Sequence, residues 1–534
     1  MGLKQRIVDR GKQALLQPSV LRWVTDDRVM KATEGLMDAR TRVKDAWKVL
    51  LNGNELPNVD PALDENIGQT EPALTKSNGH ANGHANGAAV ANGAAARARE
   101  TSNGDARIDM SDRQGSTDMA ESMKERTTLA SVGGKDVFEK AFKFMAADNA
   151  RKMGIYPYFR PLDFADGPEA QINGKRVVMF GSNNYLGLTT HPKVREAAKA
   201  AIDKYGTSMT GSRLVNGSMR LHEEFEEKLA KWFNKESALV FTTGYQVNIA
   251  TLAALLSNKQ SVAFIDRNVH ASLYDGVRLG QSAGARLVRY RHNDAESLDK
   301  ALEKLEADEG AFVITDGVFS AEGEIAKLDE LVPVVKKHKA RLFVDDAHAL
   351  GVIGPGGMGT AAHFGLMDQV DLMGGTFSKS MASIGGWLVG ERKVLDYIRH
   401  FAPSFMFAAA AAPPSVAAAM AAFDVMQEEP WRIDKLRENF TYMREGLKSL
   451  GFELGHTQTA VIPIYIRQDL RTIMMWRDLL EEHGIYTNPF ISPGVPPKSA
   501  MLRTSYMATH ERHHLDRALE AFEKVGKKYG VIGK

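Results

Sequence analysis

The stretch "RLFVDDAHALG", residues 341–351, joins a short apolar run to an acidic end and determines how the rest of the chain is interpreted. Its apolar residues are continuous rather than alternating, which is typical of a strand buried on both faces of a sheet. Similar runs lie at residues 238–245, 261–270, 311–320 and 371–379, with helical stretches between them. Such alternation predicts right-handed crossovers and a largely parallel sheet, hence an α/β fold.

Polar residues follow these runs, at the edge where ligands bind to parallel sheets. Asp345 and Asp346 end the quoted run and His348 follows them. A buried carboxylate favours a cationic partner, for which a protonated pyridine nitrogen would serve. A helix cap beside a hydrogen-bonded histidine is the alternative interpretation. Lys379 ends the next run, and a partly buried lysine near positive charge has a lowered pKa and is nucleophilic.

Two further strand ends carry residues suited to a flat, phosphorylated ligand. Gly244 and Tyr245 open a helix, where backbone N–H groups can approach a phosphate. His270 follows another strand, and its ring would either stack on a planar ligand or serve a structural role. An amine, an acidic strand end and a phosphate-sized turn together suggest pyridoxal phosphate, which requires a Schiff-base lysine and an acidic partner for its ring nitrogen.

Composition excludes several classes of protein. The chain has 534 residues, which predicts more than one domain. The formal net charge of +2 disfavours nucleic-acid binding. The absence of cysteine excludes disulfides, thiolate metal sites and a cysteine nucleophile. No apolar run reaches the roughly 18 residues of a membrane-spanning helix, and a secretory signal is lacking, so we expect a cytoplasmic location.

The N-terminal part of the chain differs from the rest in composition. Residues 1–50 are predicted to be helical, and basic side chains interleave with apolar ones. Such a helix fits an anionic membrane surface, here the inner membrane face, whereas a helical hairpin packed on the main body or a partner is the alternative. Residues 51–125 are rich in Asn, Gly, His and Ala and predict a disordered linker. We interpret His80 and His84 in it as incidental to a repeat rather than as metal ligands.

Residues from about 150 to 530 resemble the α-oxoamine synthases, which are pyridoxal-phosphate enzymes with the aspartate-aminotransferase-type fold. The motifs that carry the resemblance occur in the family's order: "GSNNYLGL" (181–188), "TGSRLVNGS" (210–218), "LVFTTGYQVN" (239–248), "DRNVHASLYDG" (266–276), "VDDAHALG" (344–351) and "GTFSKS" (375–380). The stretches "VRYRHND" (288–294) and "MLRTSYMATHE" (501–511) are closest to the branch that uses serine. The resemblance implies an N-terminal part of the catalytic unit at 126–180, a large cofactor-binding domain at 181–400 and a small α+β domain at 401–534.

The resemblance also implies roles for individual residues. Lys379 would hold the cofactor covalently and move protons at the α-carbon, and Asp345 would keep the ring nitrogen protonated. Arg503 would pair with the amino-acid carboxylate through two parallel hydrogen bonds. The residues assigned to the cofactor are Gly244, Tyr245, His270, Ser320, Asp345, His348, Thr376, Ser378 and Lys379, of which His270, Asp345, His348 and Lys379 are also assigned to catalysis. Those assigned to the substrate are Asn184, Tyr185 and Arg503. A turn hydroxyl for Ser320 and a surface ion pair for Arg503 remain as alternatives.

The implied reaction is a decarboxylative condensation of an amino acid with an acyl thioester. We expect L-serine and a long-chain acyl-CoA, giving 3-ketodihydrosphingosine, the first step of sphingolipid synthesis, and a homodimer. The thioester would come from CoA or an acyl carrier protein. The alternatives are a sibling that makes 8-amino-7-oxononanoate or 2-amino-3-ketobutyrate, and a non-catalytic membrane adaptor that retains the fold. One departure concerns residues 408–412, all alanine, where relatives carry hydroxyls that reach the phosphate of the neighbouring subunit.

Overall fold

A computed structural model describes residues 136–492, 494–496 and 498–533. The predicted helical segment 1–50, its membrane contact, and the linker 51–125 with His80 and His84 lie outside these described residues. The described residues fall in two units, 136–156 and 157–533. The domain boundaries expected from the resemblance stay predictions.

Two short helices form the described part of the first unit, α1 (Glu139–Phe142) and α2 (Ala146–Lys152). The first turn of α2 carries Asp148, which pairs with Arg151 one turn later at 2.9 Å. The Arg151 guanidinium also lies 4.4 Å from the ring centroid of Tyr156, where the chain leaves this unit.

The second unit is built from strands that alternate with helices, as the apolar runs predicted. Its strands are β1 (Phe164–Asp166), β2 (Glu169–Ile172), β3 (Lys175–Met179), β4 (Ser237–Phe241), β5 (Ser261–Asp266), β6 (Arg286–Tyr290), β7 (Gly310–Asp316), β8 (Arg341–Asp345), β9 (Leu372–Thr376), β10 (Gly386–Gly390), β11 (Val461–Tyr465), β12 (Ile485–Tyr486), β13 (Asn488–Phe490) and β14 (Met501–Ser505). Its α-helices are α3 (Pro192–Tyr205), α4 (Arg220–Trp232), α5 (Gly244–Leu255), α6 (Ala271–Ser282), α7 (Ala295–Leu302), α8 (Leu328–Lys337), α9 (Thr360–His363), α10 (Arg392–Phe401), α11 (Pro403–Met406), α12 (Pro413–Glu428), α13 (Trp431–Ser449), α14 (Asp469–Glu481) and α15 (Arg512–Lys528), with 3₁₀ turns at Pro355–Gly357 and Met367–Gln369.

Seven strands form the central sheet in the order β4-β10-β9-β8-β7-β5-β6. All run parallel except β10, which is antiparallel to both its neighbours. The predicted α/β fold with a largely parallel sheet is therefore confirmed. Because Asp316 pairs with Asp345 and Asp345 with Gly374, three strands end at one level. That level is where the sequence placed its candidate ligand-binding residues.

Strand β10 was not expected, because it is not among the apolar runs that the sequence predicted as strands. In the structure Gly375 and Trp387 are register partners on β9 and β10. A Cβ on Gly375 would lie 2.9 Å from the indole nitrogen of Trp387, so the glycine makes room for that ring. Trp387 is fully buried and stacks on Phe233, with ring centroids 4.5 Å apart. The glycines here serve close packing within the core rather than flexibility.

Two smaller sheets complete the unit, one in the order β1-β2-β3-β12 and the other in the order β11-β14-β13. Strand β14 lies between its two partners and is buried along its whole length. Arg503, at the centre of β14, faces Pro463 on one neighbour and Asn488 on the other. A buried central strand thus carries the arginine that the sequence assigned to the substrate.

Helices α5 and α6 begin directly after strands β4 and β5. The Thr243 hydroxyl caps α5 by accepting from the Gln246 N–H at 3.1 Å. His270 caps α6, since its Nδ1 accepts from the Ser272 N–H at 3.3 Å. Both N-termini therefore open at the carboxyl end of the sheet. Within the described ranges, no helix combines the length and apolar content needed to cross a bilayer.

A buried ion pair ties the "TGSRLVNGS" turn to the sheet. Both nitrogens of the Arg213 fork donate to Glu226 of α4, at 2.8 and 3.3 Å, and both side chains are 9% exposed. The same carboxylate accepts from the Val240 N–H of β4 at 2.9 Å. Removing one partner of a buried pair leaves an uncompensated charge in the interior.

We expect Arg213→Met to lower the free energy of unfolding by about 3 kcal/mol, because Glu226 would stay buried with only the more distant Arg399, 3.9 Å away, as a cation. Urea unfolding, followed by circular dichroism, measures the difference. Arg220→Met is the matched control, since Arg220 pairs with Glu223 on the surface with side chains 75% and 50% exposed. The control substitution should lower the free energy of unfolding by less than about 1 kcal/mol. Equal losses in both variants would contradict a structural role for the buried pair.

Candidate active site

A cavity of about 210 Å³ lies where the parallel strands end. Helices α5 and α6 open onto it, and strands β7, β8 and β9 end at its floor. The residues that line it are Gly244, Tyr245, Asn248, His270, Ser272, Asp316, Val318, Asp345, Ala347, His348, Gly375, Thr376, Ser378 and Lys379. Eight of the nine residues that the sequence assigned to the cofactor are among them.

The Asp345 carboxylate is the centre of this cavity's hydrogen bonding. It is 6% exposed and accepts from the Asn248 amide at 2.6 Å and from the Ala347 N–H at 2.9 Å. The Asn248 amide also donates to the Ser272 hydroxyl at 2.8 Å. These bonds fix the orientation of the carboxylate at the end of β8, which suits it to hold a single cationic group.

The ring of His270 is joined to Asp345 through this relay. Its Nδ1 lies 2.7 Å from the Ser272 hydroxyl and accepts from the Ser272 backbone N–H. Because Nδ1 accepts from that N–H, it carries no proton of its own, so the Ser272 hydroxyl donates to it and the ring proton is on Nε2. Desolvation lowers the pKa of His270, with Lys379 adding to that effect and Asp345 opposing it. The Tyr245 ring stands edge-on to it, 6.1 Å away between centroids.

Lys379 follows β9 and is partly buried beside two carboxylates and an arginine. Burial lowers its pKa to about 8; Asp345 and Asp316 oppose the change and Arg503 adds to it. Part of the amine is therefore neutral near physiological pH, as a nucleophile or proton acceptor must be. The sequence predicted a lowered pKa, and the direction of the shift agrees with that prediction.

Small side chains and hydroxyls form the end of the cavity near α5. A Cβ on Gly244 would lie 2.5 Å from the Thr376 Cβ. The first turn of the helix can therefore approach β9 this closely only because residue 244 is glycine. The Thr376 hydroxyl donates to the Gly385 carbonyl at 3.0 Å and lies 2.8 Å from the Ser378 hydroxyl. Ser378 is exposed to solvent, so its hydroxyl can turn away from Thr376 and donate its one proton to an anion instead.

His348 and Arg503 belong to a second group, linked by Tyr185. The Tyr185 hydroxyl lies 2.7 Å from His348 Nδ1 and 3.4 Å from the Asn183 side-chain oxygen. Arg503 Nη2 donates to that same oxygen at 3.1 Å. Burial lowers the pKa of His348 well below its usual range, and burial raises that of Tyr185 to about 12. Both groups are therefore neutral at physiological pH.

Four predicted residues are not among those lining the cavity: Ser320, Asn184, Tyr185 and Arg503. Ser320 receives a hydrogen bond through its backbone, since its carbonyl accepts from Arg503 Nε at 2.6 Å. The Asn184 amide donates to the Thr189 hydroxyl, and its oxygen accepts from the Leu188 N–H. Asn183 rather than Asn184 is therefore the asparagine of "GSNNYLGL" that contacts Arg503. The roles predicted for Ser320, Asn184 and Tyr185 stay predictions.

Sequence reasoning missed Asn248, Ser272 and Asp316. Asn248 lies one helical turn into α5, inside the quoted "LVFTTGYQVN", and its spacing from Gly244 puts it on the same helix face. Asp316 ends β7 as Asp345 ends β8, so the strand-end rule that found one carboxylate also applies to the other. Asp316 is 3% exposed and accepts from the His270 N–H. Burial raises its pKa well above the usual range, and the neighbouring Asp345 adds to this.

The family model for aminotransferase class I and II matches residues 175–522. The chain belongs to this family. A serine palmitoyltransferase from Sphingobacterium spiritivorum is 42% identical over 73% of this chain and 96% of its own length. An 8-amino-7-oxononanoate synthase from Thermoanaerobacter pseudethanolicus is 39% identical over 72% of this chain and 96% of its own. A serine palmitoyltransferase from S. paucimobilis, solved with a pyridoxal phosphate–myriocin aldimine, superposes with a TM-score of 0.71 at 33% identity, covering 74% of this chain and 100% of that one.

These matches confirm the resemblance to the α-oxoamine synthases and the enzyme class, a pyridoxal-phosphate-dependent acyltransferase. The residues of the cavity fit that cofactor. An oriented carboxylate is present for the ring nitrogen, and a lysine amine is present for the covalent bond. Within the part of the chain that the structure describes, the side-chain oxygen of buried Asn248 has no hydrogen-bond partner, which leaves it free for a donor from a bound group. Hydroxyls and a helix N-terminus are present for the phosphate.

We expect Lys379 of the cofactor-free protein to react with an amine-selective acylating reagent with a midpoint near pH 8, because only the neutral amine reacts. Labelling at several pH values, read by peptide mass spectrometry, gives the midpoint. Lys337 is an internal control, since its hydrogen bond to Asp299 raises its pKa. Asp345→Asn should move the Lys379 midpoint to lower pH, because Asp345 stabilises the charged amine. A midpoint above pH 10 for Lys379 would contradict the assignment.

Proposed function

We propose that this chain condenses L-serine with a long-chain acyl-CoA, with loss of carbon dioxide, to give 3-ketodihydrosphingosine. The observation that carries the proposal is the 42% identity to a serine palmitoyltransferase across 96% of that enzyme. Further serine palmitoyltransferases match at 43% and 40% identity. The 39% match to an 8-amino-7-oxononanoate synthase supports a sibling reaction, with another amino acid, as the second candidate.

Arg503 is suited to bind the carboxylate of an amino acid. Its guanidinium has five N–H groups, and three of them donate to Ser320, Ser505 and Asn183. Two N–H groups remain, which is the number that a carboxylate takes from an arginine fork. Arg503 is only 4% exposed, so a carboxylate bound there would be largely removed from water. Low solvation strengthens such a charge-assisted pair.

When bound, pyridoxal phosphate supplies an electron-withdrawing ring that stabilises a carbanion at the amino-acid α-carbon. Lys379 would bind the cofactor at rest, and its lowered pKa suits it to take the α-proton and return it. Asp345 would keep a proton on the ring nitrogen, in the orientation that Asn248 and Ala347 impose. Gly244, Thr376 and Ser378 would hold the phosphate.

The condensation forms one carbon–carbon bond and breaks three bonds: the serine Cα–H bond, whose proton Lys379 would take, the thioester C–S bond, and the bond between Cα and the carboxylate. The α-carbon of serine joins the acyl carbonyl carbon, the thioester C–S bond breaks, and free CoA leaves. The bond to the serine carboxylate breaks next, releasing carbon dioxide, and a proton takes its place. His270 lines the cavity, and its Nε2 makes no hydrogen bond within the described residues, so it would donate to the incoming thioester oxygen.

We expect the purified, cofactor-loaded protein to release CoA with L-serine and palmitoyl-CoA and to form a product with the mass of 3-ketodihydrosphingosine. A panel of L-serine, L-alanine and glycine against acyl-CoA and acyl-carrier-protein thioesters, read by mass spectrometry, tests this. Lys379→Ala is the blank and should form no ketone. Product from alanine or glycine but not serine would favour a sibling enzyme. No product with any pair would favour a non-catalytic adaptor.

We propose that the chain forms a homodimer through apolar side chains beside the cavity. Val215 and Phe407 are 72% and 74% exposed. Their segments are joined, because the Ala410 N–H donates to the Gly211 carbonyl at 2.9 Å. The Ala409 carbonyl also accepts from Thr242 Oγ1 at 2.7 Å, two residues before Gly244. The alanine run is thus tied by its backbone to the strand end that precedes the cavity.

We expect analytical ultracentrifugation to give twice the 58.7 kDa chain mass for the wild type. Phe407→Asp should shift the equilibrium toward the monomer, because a charge would be buried at the interface. Trp431→Asp is the control, since Trp431 is an exposed aromatic residue, 51% accessible, outside these two segments. A monomeric wild type would contradict the dimer. The cytoplasmic location and the membrane contact of residues 1–50 stay predictions.

A further inference from the structure

A charged cluster lies beside the active site and contains the histidine of "VRYRHND", which the proposed reaction does not use. His292 Nδ1 lies 3.0 Å from Asp266, the last residue of β5. Asp266 is fully buried and also accepts from the backbone N–H groups of Asn268 at 2.8 Å and Asn293 at 2.6 Å. Three donors thus hold this carboxylate, and it in turn fixes the ring of His292.

The other side of the His292 ring faces the loop that follows β7. Its Nε2 lies 3.5 Å from the Glu324 carboxylate, an ion-pair distance. Its ring packs edge-on against Phe319, with centroids 4.3 Å apart. Phe319 and Glu324 close a tight turn, since the Phe319 N–H donates to the Glu324 carbonyl at 2.9 Å. His292 therefore contacts both ends of the turn formed by residues 319–324.

That turn carries Ser320, whose carbonyl accepts from Arg503 Nε at 2.6 Å. This bond and those to Ser505 and Asn183 fix the plane of the guanidinium. The direction in which the two remaining N–H groups point therefore depends on where the turn holds the Ser320 carbonyl. A carbonyl shifted by a fraction of an ångström would tilt the fork, and a bidentate pair is sensitive to such a tilt.

We propose that His292, as an imidazolium bridging Asp266 and Glu324, is a positioning residue that orients Arg503 toward the substrate carboxylate. This inference rests on the proposed function, in which Arg503 binds the amino acid. His292 is not one of the residues that line the cavity, so it would act on substrate affinity and leave the bond-making steps unchanged. This role accounts for the histidine of "VRYRHND", which the proposed reaction does not use directly.

The charges around His292 favour its protonated form. Burial of the ring alone would lower its pKa, but the hydrogen bond to Asp266 and the pairing with Glu324 and Glu322 raise it to about 9. The Glu324 pKa is lowered in return, first by His292. The other titratable groups that face these carboxylates are Lys327, His456 and Tyr465 on the glutamate side and Tyr274, Tyr290 and Asp316 on the Asp266 side.

A double-mutant cycle tests whether His292 acts through Arg503. We expect His292→Gln to raise the KM for L-serine about tenfold, while kcat changes less than about twofold and cofactor loading is unchanged. Arg503→Lys should raise KM at least as much, because it removes the fork. The double variant should have a KM no higher than that of Arg503→Lys, because Arg503→Lys leaves no guanidinium for His292 to orient.

The pH dependence provides a second measurement that a purely structural role would not change. The imidazolium is present below its pKa and is lost as pH rises through about 9, so KM for the amino acid should rise there. Glu324→Gln removes a charge that raises this pKa, so the rise in KM should begin at lower pH. Comparing that variant with the wild type on the same amino acid cancels the titration of the substrate. Glu324 is partly exposed, so this variant is expected to fold.

His338→Gln is the matched control, because His338 also pairs with a carboxylate, Asp299, at 2.6 Å, at the end of helix α8. It should leave KM and its pH profile unchanged. Additive effects of His292→Gln and Arg503→Lys, or an unchanged KM in His292→Gln, would overturn the positioning role of His292 but not the substrate role of Arg503. An unchanged KM in Arg503→Lys would overturn the substrate role of the arginine as well as the inference built on it.

Discussion

The hydrogen bond from the Asn248 amide to the Asp345 carboxylate determines much of the site's arrangement. It joins helix α5 to the end of β8 across 2.6 Å, inside a region closed to solvent. A buried carboxylate needs such donors, because its desolvation would otherwise favour the protonated form. The same amide donates to Ser272, which bonds His270, so helix α6 is positioned by the same interaction. Two helices and one strand thus share one polar junction at the floor of the cavity.

The charges near this junction influence each other because water is largely excluded. Lys379 interacts with two carboxylates, Asp345 and Asp316, and with the Arg503 cation. Burial alone would favour a neutral lysine and a neutral Asp316, and the pKa of each shifts in that direction. The result is an amine that can release its proton near neutral pH. A surface lysine with the same partners would keep its proton, because solvent would screen the pairs and hydrate the charge.

The strand ends could be predicted from the sequence, because in a parallel sheet each apolar run terminates at one edge. Asp345, Lys379, His270 and Gly244 come together for this reason, although they lie far apart in the chain. Strand β10 could not be predicted, because its pairing depends on the space that Gly375 leaves for Trp387, a tertiary contact. Asn183 and Asn184 are adjacent and identical in type, and only the turn at Leu188 decides which of them faces Arg503. The contribution of Ser320 is a backbone carbonyl, which side-chain chemistry does not predict.

The Tyr185 hydroxyl connects the cofactor side of the site with the substrate side. It has one proton and two neighbours, His348 Nδ1 at 2.7 Å and the Asn183 oxygen at 3.4 Å. The shorter contact is the stronger bond. Because burial keeps His348 neutral, Nδ1 can either accept that proton or donate its own. If Nδ1 accepts, the Asn183 oxygen keeps only its bond from Arg503. If Nδ1 donates, the tyrosine proton turns to Asn183, which then shares its oxygen between two donors. The tautomer of one buried histidine therefore influences how firmly Asn183 holds the arginine, through a single hydroxyl.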